Sequence, residues 1–142
     1  MLWVTRTNPH VDRCASVWLI KRFIDKEAKF EFISKDDPIP QGAIAFTLPK
    51  AQIKPIEGKK TTYDILVEEY HIQDPSALLI GKFIHDFEVD AEEDPNKVRF
   101  KETLGLCFVL KGLDRTTRTD HETIEKASTV LDAFYASLVG EA

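Results

Sequence analysis

The opening of the chain, from Leu2 to Ile24, constrains the fold more than any other stretch. Leu2–Arg6 (LWVTR) is apolar, aromatic and β-branched, the composition of a short buried strand. Asn8-Pro9 breaks it, because proline lacks an N–H and pushes the residue before it away from helix. A helix is then predicted from about His10 to Ile24. Its stripe, counted in steps of three and four, runs through Ser16, Val17, Ile20, Phe23 and Ile24. Arg13 heads that stripe. A guanidinium cannot escape burial by losing its proton, so this position needs a counter-charge or water.

The rest of the chain extends this strand–turn–helix start. Lys29–Ser34 (KFEFIS) alternates apolar and polar, as a half-buried strand does. A loop over Asp36–Gln41 leads to a third strand, Gly42–Leu48, ended by Pro49. Helices follow. One starts at Thr61–Asp64 and runs to about His71. The next has Asp74 as N-cap and Pro75 at the first helical position, with Leu79, Ile80, Phe83, Ile84 and Phe87 as its stripe. After an acidic loop, Ala91–Asn96, a helix covers about Val98–Leu113. Thr119 and Glu122 have capping-box spacing, and Ile124, Ala127, Leu131, Phe134 and Leu138 line the helix behind them. The order β-α-β-β followed by four helices predicts an α/β (α+β) fold. It has a small mixed sheet of about three strands packed with about five helices, a helix-rich C-terminal half, and one domain over residues 1–142.

Composition narrows the function classes. A chain of 142 residues with 43% apolar residues can bury a core without disulfides. The net charge of −5 disfavours general nucleic-acid binding, although Arg6, Arg13, Lys21 and Arg22 form a local basic candidate. Cys14 and Cys107 are isolated, so a thiolate zinc site is not expected. No apolar run reaches the ~20 residues that span a bilayer. No secretory leader pattern opens the sequence, so a cytoplasmic location is the expectation. Homo-oligomerisation stays open.

Three groups of residues carry candidate chemistry. Arg13 lies at a helix N-terminus, where free N–H groups and the helix dipole already favour an anion, and Arg6 ends the preceding strand close by. The alternative is that Arg13 pairs with a structural carboxylate or frays into water. The segment IHDFEVD gathers His85, Asp86, Glu88 and Asp90 at a helix end, where imidazole and carboxylates could hold a divalent metal or move protons. A solvated acidic surface is the plainer reading. Asp120 and His121 form a secondary candidate beside the capping box.

Read together, these motifs resemble the chromate-resistance family, the domain at the C-terminal end of ChrB-type proteins. The resemblance rests first on Trp3, Thr5, Arg6, Val11, Asp12, Arg13, Ala15, Trp18–Ile20 and Arg22–Asp25. Weaker matches follow in order: Gly42–Ile44 with Phe46, Gly58 with Tyr63, Ile84–Asp86 with Glu88, Gly105-Leu106, Gly112-Leu113, Asp120-His121 and Leu131–Ala136. The resemblance implies an oxyanion-responsive role with Arg6, Asp12 and Arg13 as the ligand-binding set, Asp12 orienting an arginine. Longer relatives carry an N-terminal DNA-binding region; this sequence opens at the family domain, and no direct nucleic-acid contact is expected.

Two positions depart from the family pattern. Thr47 stands where an acid is common, and Ile56 where a histidine is common. Three functions therefore compete. One is a module binding a small oxyanion. Another is an enzyme whose cofactor is a divalent metal on His85, Asp86 and Glu88. The last is a structural or partner module in which these charges pair internally.

Overall fold

The structure is a computed structural model that describes residues 1–139; the last three residues of the expected 1–142 unit lie outside that span. The α/β class holds. Three strands, β1 (Leu2–Arg6), β2 (Lys29–Ile33) and β3 (Ile44–Ala45), combine with five helices. These are α1 (Val11–Leu19), α2 (Thr62–Glu69), α3 (Pro75–His85), α4 (Lys101–Thr116) and α5 (Asp120–Val139).

The sheet order is β2-β1-β3, and both ladders are parallel rather than mixed. The physical reason is α1. A helix after β1 carries the chain back to the starting end of the sheet, so β2 must run in the same sense. Its register pairs Leu2 with Lys29 and Arg6 with Ile33. The third strand is shorter than expected. After Ala45 the ladder continues only through Phe46 N–H to the Val4 carbonyl at 2.9 Å. Thr47 then turns into the left-handed region at φ 54°, which ends extended pairing.

Trp3, Phe30 and Phe46 project from one face of the sheet into a core built with Trp18, Leu19, Ile20, Tyr63, Leu66, Phe83 and Leu131. Burying each such side chain contributes about 1.5–3 kcal/mol. The opposite face carries a small cluster, Val4, Leu48 and Ala51, beneath the loop that follows β3.

Two helices end in a π-helical turn. Ile20–Ile24 extends α1, closed by Asp25 N–H to the Ile20 carbonyl at 2.7 Å. Asp86–Asp90 extends α3, closed by Ala91 N–H to the Asp86 carbonyl at 2.8 Å. A π turn inserts an extra residue and re-aims the side chains around it. This places His85, Asp86 and Glu88 in different surroundings.

Helix starts follow their caps. Asp74 accepts from Ala77 N–H at 2.9 Å with Pro75 behind it. Thr61 and Asp64 form a complete capping box on α2. At α5 the Thr119 hydroxyl accepts from Glu122 N–H at 3.1 Å. Helix α4 begins at Lys101, later than expected, because the buried Asp86 carboxylate receives the amides of Arg99 and Phe100 and so sets its entry.

Candidate functional site at the carboxyl ends of the strands

In open parallel sheets, ligands bind in the crevice outside the carboxyl ends of the strands. Here that region gathers the end of β1, the turn after β3 and the N-termini of α1 and α2.

Arg13 reaches back across the β1–α1 turn. Its Nη1 donates to the carbonyls of Arg6 and Thr7, the latter at 3.2 Å. Its Nη2 donates to Thr7 at 3.3 Å and to Asn8 at 2.6 Å. Burial lowers its pKa, and the Arg6 charge adds to that. The charge in the helix stripe is thus met by main-chain carbonyls, which neither of the two sequence-based readings of its partner named. Asn8 sits at φ 57°, and its main-chain N–H donates to Asp120 Oδ1 at 3.2 Å. Asp120 therefore holds this turn from α5.

Asp12 lies beneath the first turn of α2. Its Oδ2 accepts from Thr62 N–H at 2.8 Å and its Oδ1 from Tyr63 N–H at 3.1 Å. These bonds go to a helix N-terminus and not to an arginine. Burial raises the Asp12 pKa against those hydrogen bonds, and Asp64 adds to the rise. Thr47 joins the same corner through its hydroxyl, 2.8 Å from that of Thr62.

The IHDFEVD cluster separates. His85 Nδ1 lies 2.6 Å from Asp64 Oδ2, and its Nε2 faces Asp90 at 3.8 Å. Asp90 in turn lies 3.6 Å from Arg99. Asp86 is fully buried and turned the other way, accepting from Arg99, Phe100 and the Thr103 hydroxyl, the last at 2.6 Å. The Glu88 side chain makes no hydrogen bond or ion pair with the described residues. Burial, then Asp12 and Glu92, push its pKa from 4.5 to about 7. Among the described residues, no group of three or more His, Cys, Asp or Glu side chains is arranged to hold a metal ion.

Arg6 is placed differently from Arg13. It is exposed and has no carboxylate partner among the described residues. It lines a concavity of about 450 Å³ with Thr47, Leu48, Pro49, Lys54, Pro55 and Glu57. Lys54 is held there by its bond to the Pro49 carbonyl at 3.1 Å. His121 lies elsewhere, with its ring edge-on to Phe32 at 5.1 Å. The partner of His85 escaped the sequence reading: Thr61-x-x-Asp64 spacing marks a cap, but only the fold brings α3 against it.

The family of the ChrB C-terminal domain matches residues 3–138. The chain belongs to that family. One curated relative, Protein ChrB of Cupriavidus metallidurans, is 28% identical over 134 residues, covering 94% of this chain. The match takes in 39% of that protein, so the chain spans about two-fifths of the length of its relative. No solved structure matches. The structure places Thr47 and Ile56 of this ChrB-type domain in distinct settings. Thr47 adopts a left-handed conformation that a β-branched residue tolerates poorly and an aspartate tolerates better. Ile56 is exposed and bridges to Lys60. No helix among the described residues is long and apolar enough to cross a membrane.

Proposed function

We propose that the domain binds a small tetrahedral oxyanion, chromate being one of the class, and that Arg6 with Lys54 receives it. The observation that carries this reading is the unpaired, exposed guanidinium of Arg6 in a concavity with a second cation, in a protein of net charge −5. A planar fork of N–H donors matches an oxyanion geometrically, and Lys54 adds a point charge. Glu57 on the rim opposes higher charge density and favours a small ligand over an extended polyanion. Arg13 acts indirectly, by fixing the turn that carries Arg6, and Asp12 by tying α1 to the start of α2, whose Thr62 meets Thr47. Family membership supports an oxyanion-responsive role. Calorimetric titration with sulfate, phosphate and chromate is the test. An Arg6→Ala, Lys54→Ala variant should lose binding while remaining folded; undiminished affinity in that variant would falsify the proposal.

A second reading is favoured by the Asp64–His85 pair at 2.6 Å and by a Glu88 carboxyl that exchanges its proton near neutrality. These are acid–base groups, and a divalent metal would reach them through the His85 ring, since no three-ligand cluster stands ready among the described residues. Thermal stabilisation by Mn²⁺, Zn²⁺ or Mg²⁺ that disappears in His85→Ala would support it. No shift with any of the three would remove the metal-dependent form.

A further inference from the structure

The sheet ends at β2, and β2 has an open edge. Lys29 N–H donates to the Met1 carbonyl at 3.0 Å, and the Ile33 carbonyl accepts from Thr7 N–H at 3.0 Å. In a parallel ladder the N–H and C=O of one residue point the same way, and successive residues point opposite ways. Lys29, Glu31 and Ile33 therefore spend their main-chain groups on β1, while Phe30 and Phe32 turn theirs outward. Neither has a main-chain partner among the described residues. Such an edge is a template for another strand.

Beside this edge lies a concavity of about 970 Å³, with Val17, Trp18, Ala28, Phe30 and Ile124 among its walls. On the opposite face of β2, Lys29 and Glu31 are exposed and take part in no ion pair among the described residues. We propose that β2 is an interface for a second copy of this chain, added antiparallel about a twofold axis at Phe30.

Charge selects that register from the ones the backbone allows. A twofold axis at Glu31 would set Glu31 against the partner's Glu31, and like charges directly opposite one another are destabilising. An axis at Phe32 would set Glu31 against the partner's Ile33. An axis at Phe30 sets Lys29 against the partner's Glu31, and symmetry repeats the pair. Phe30 then exchanges both main-chain hydrogen bonds with the partner's Phe30. Phe32 N–H reaches the partner's Ala28 carbonyl; the Ala28 N–H is already spent on the Asp25 carbonyl at 3.1 Å. Phe32 of each copy comes opposite Ala28 of the other, on the face where Ala28 borders the concavity. The apolar wall is thus covered by the same strand that satisfies the edge, and the sheet becomes continuous across two copies.

Sedimentation velocity from micromolar to near-millimolar concentration tests this. The unaltered chain should show a monomer–dimer equilibrium. Lys29→Glu should weaken it about tenfold, because two attractive cross-strand pairs become repulsive. Glu31→Lys should do the same, and the swapped pair Lys29→Glu, Glu31→Lys should restore it. A double variant with cysteine at both positions should form intermolecular disulfides on oxidation, since opposed residues of this type have Cα atoms about 4.5 Å apart. A chain that stays monomeric throughout overturns the proposal. A dimer that ignores the charge reversals, or that the swap does not restore, overturns it equally.

Discussion

Replacing Glu88 with glutamine should make the protein more stable at alkaline pH and leave it unchanged at acid pH. Glu88 lies in the π turn after α3, partly withdrawn from water and within electrostatic reach of Asp12 and Glu92. Its pKa rises from 4.5 to about 7 on folding. The folded state therefore binds more protons than the unfolded chain between those two values, and stability falls as pH rises through that window. Below pH 4.5 the group is protonated in both states and costs nothing. Above pH 7 the full cost is present. At about 1.4 kcal/mol per pH unit, the gap between 4.5 and about 7 corresponds to at most about 3.5 kcal/mol, which the partial exposure of Glu88 reduces. Glutamine has nearly the same shape as the protonated acid and never ionises. Urea unfolding of both proteins from pH 4.5 to 8.5 should give curves that coincide at the acid end and separate by about 2–3 kcal/mol at the alkaline end. Carbon-detected NMR of the Glu88 carboxyl should titrate near neutrality. A stability difference that is the same at both ends of the range would refute the reasoning, because a pH-independent effect comes from packing and not from ionisation.

Substitutions at four other positions probe the hydrogen bonding and packing of the fold. Arg13→Ala should cost about 2–4 kcal/mol in denaturant unfolding, since it removes charge-assisted bonds to the Arg6, Thr7 and Asn8 carbonyls; Arg13→Lys should recover only part, lacking the planar fork. Asp86→Ala should cost about 3–5 kcal/mol and slow amide-exchange protection should be lost first at the start of α4, because the Arg99 and Phe100 amides and the Thr103 hydroxyl lose their shared acceptor. Gly81→Ala should lower the melting temperature despite alanine's better helix propensity, as its Cβ would sit 2.7 Å from the buried Tyr63 ring; Gly105→Ala, with open space around it, should gain about 0.5–1 kcal/mol.

Periodicity and capping chemistry account for the features that were legible in advance. The first helix, the Asp74-Pro75 start and the apolar row of α5 depend on neighbours within a few residues, and those interactions are present in the sequence itself. The third strand contracted because Thr47 takes a left-handed conformation that nothing in GAIAFTL announces. The start of α4 moved because its cap, Asp86, comes from a different helix. The same contrast runs through the candidate site. His85, Asp86 and Glu88 lie within four residues of one another, yet one side chain goes to Asp64, one to the α4 N-terminus, and one is left without a partner among the described residues.

By itself the sequence determined the class of fold, the family, and the fact that Arg13 in an apolar stripe must find compensation for its charge. Only the tertiary structure decided where that compensation comes from. The carbonyls of Arg6, Thr7 and Asn8 are exposed to Arg13 because the turn folds back over the helix start. Arg6 is left uncommitted by the same turn, at the mouth of a concavity whose other cation, Lys54, is far away in sequence. A local pattern can state that a charge needs a partner. Which groups are near enough to serve is a property of chain segments brought together over long sequence separations.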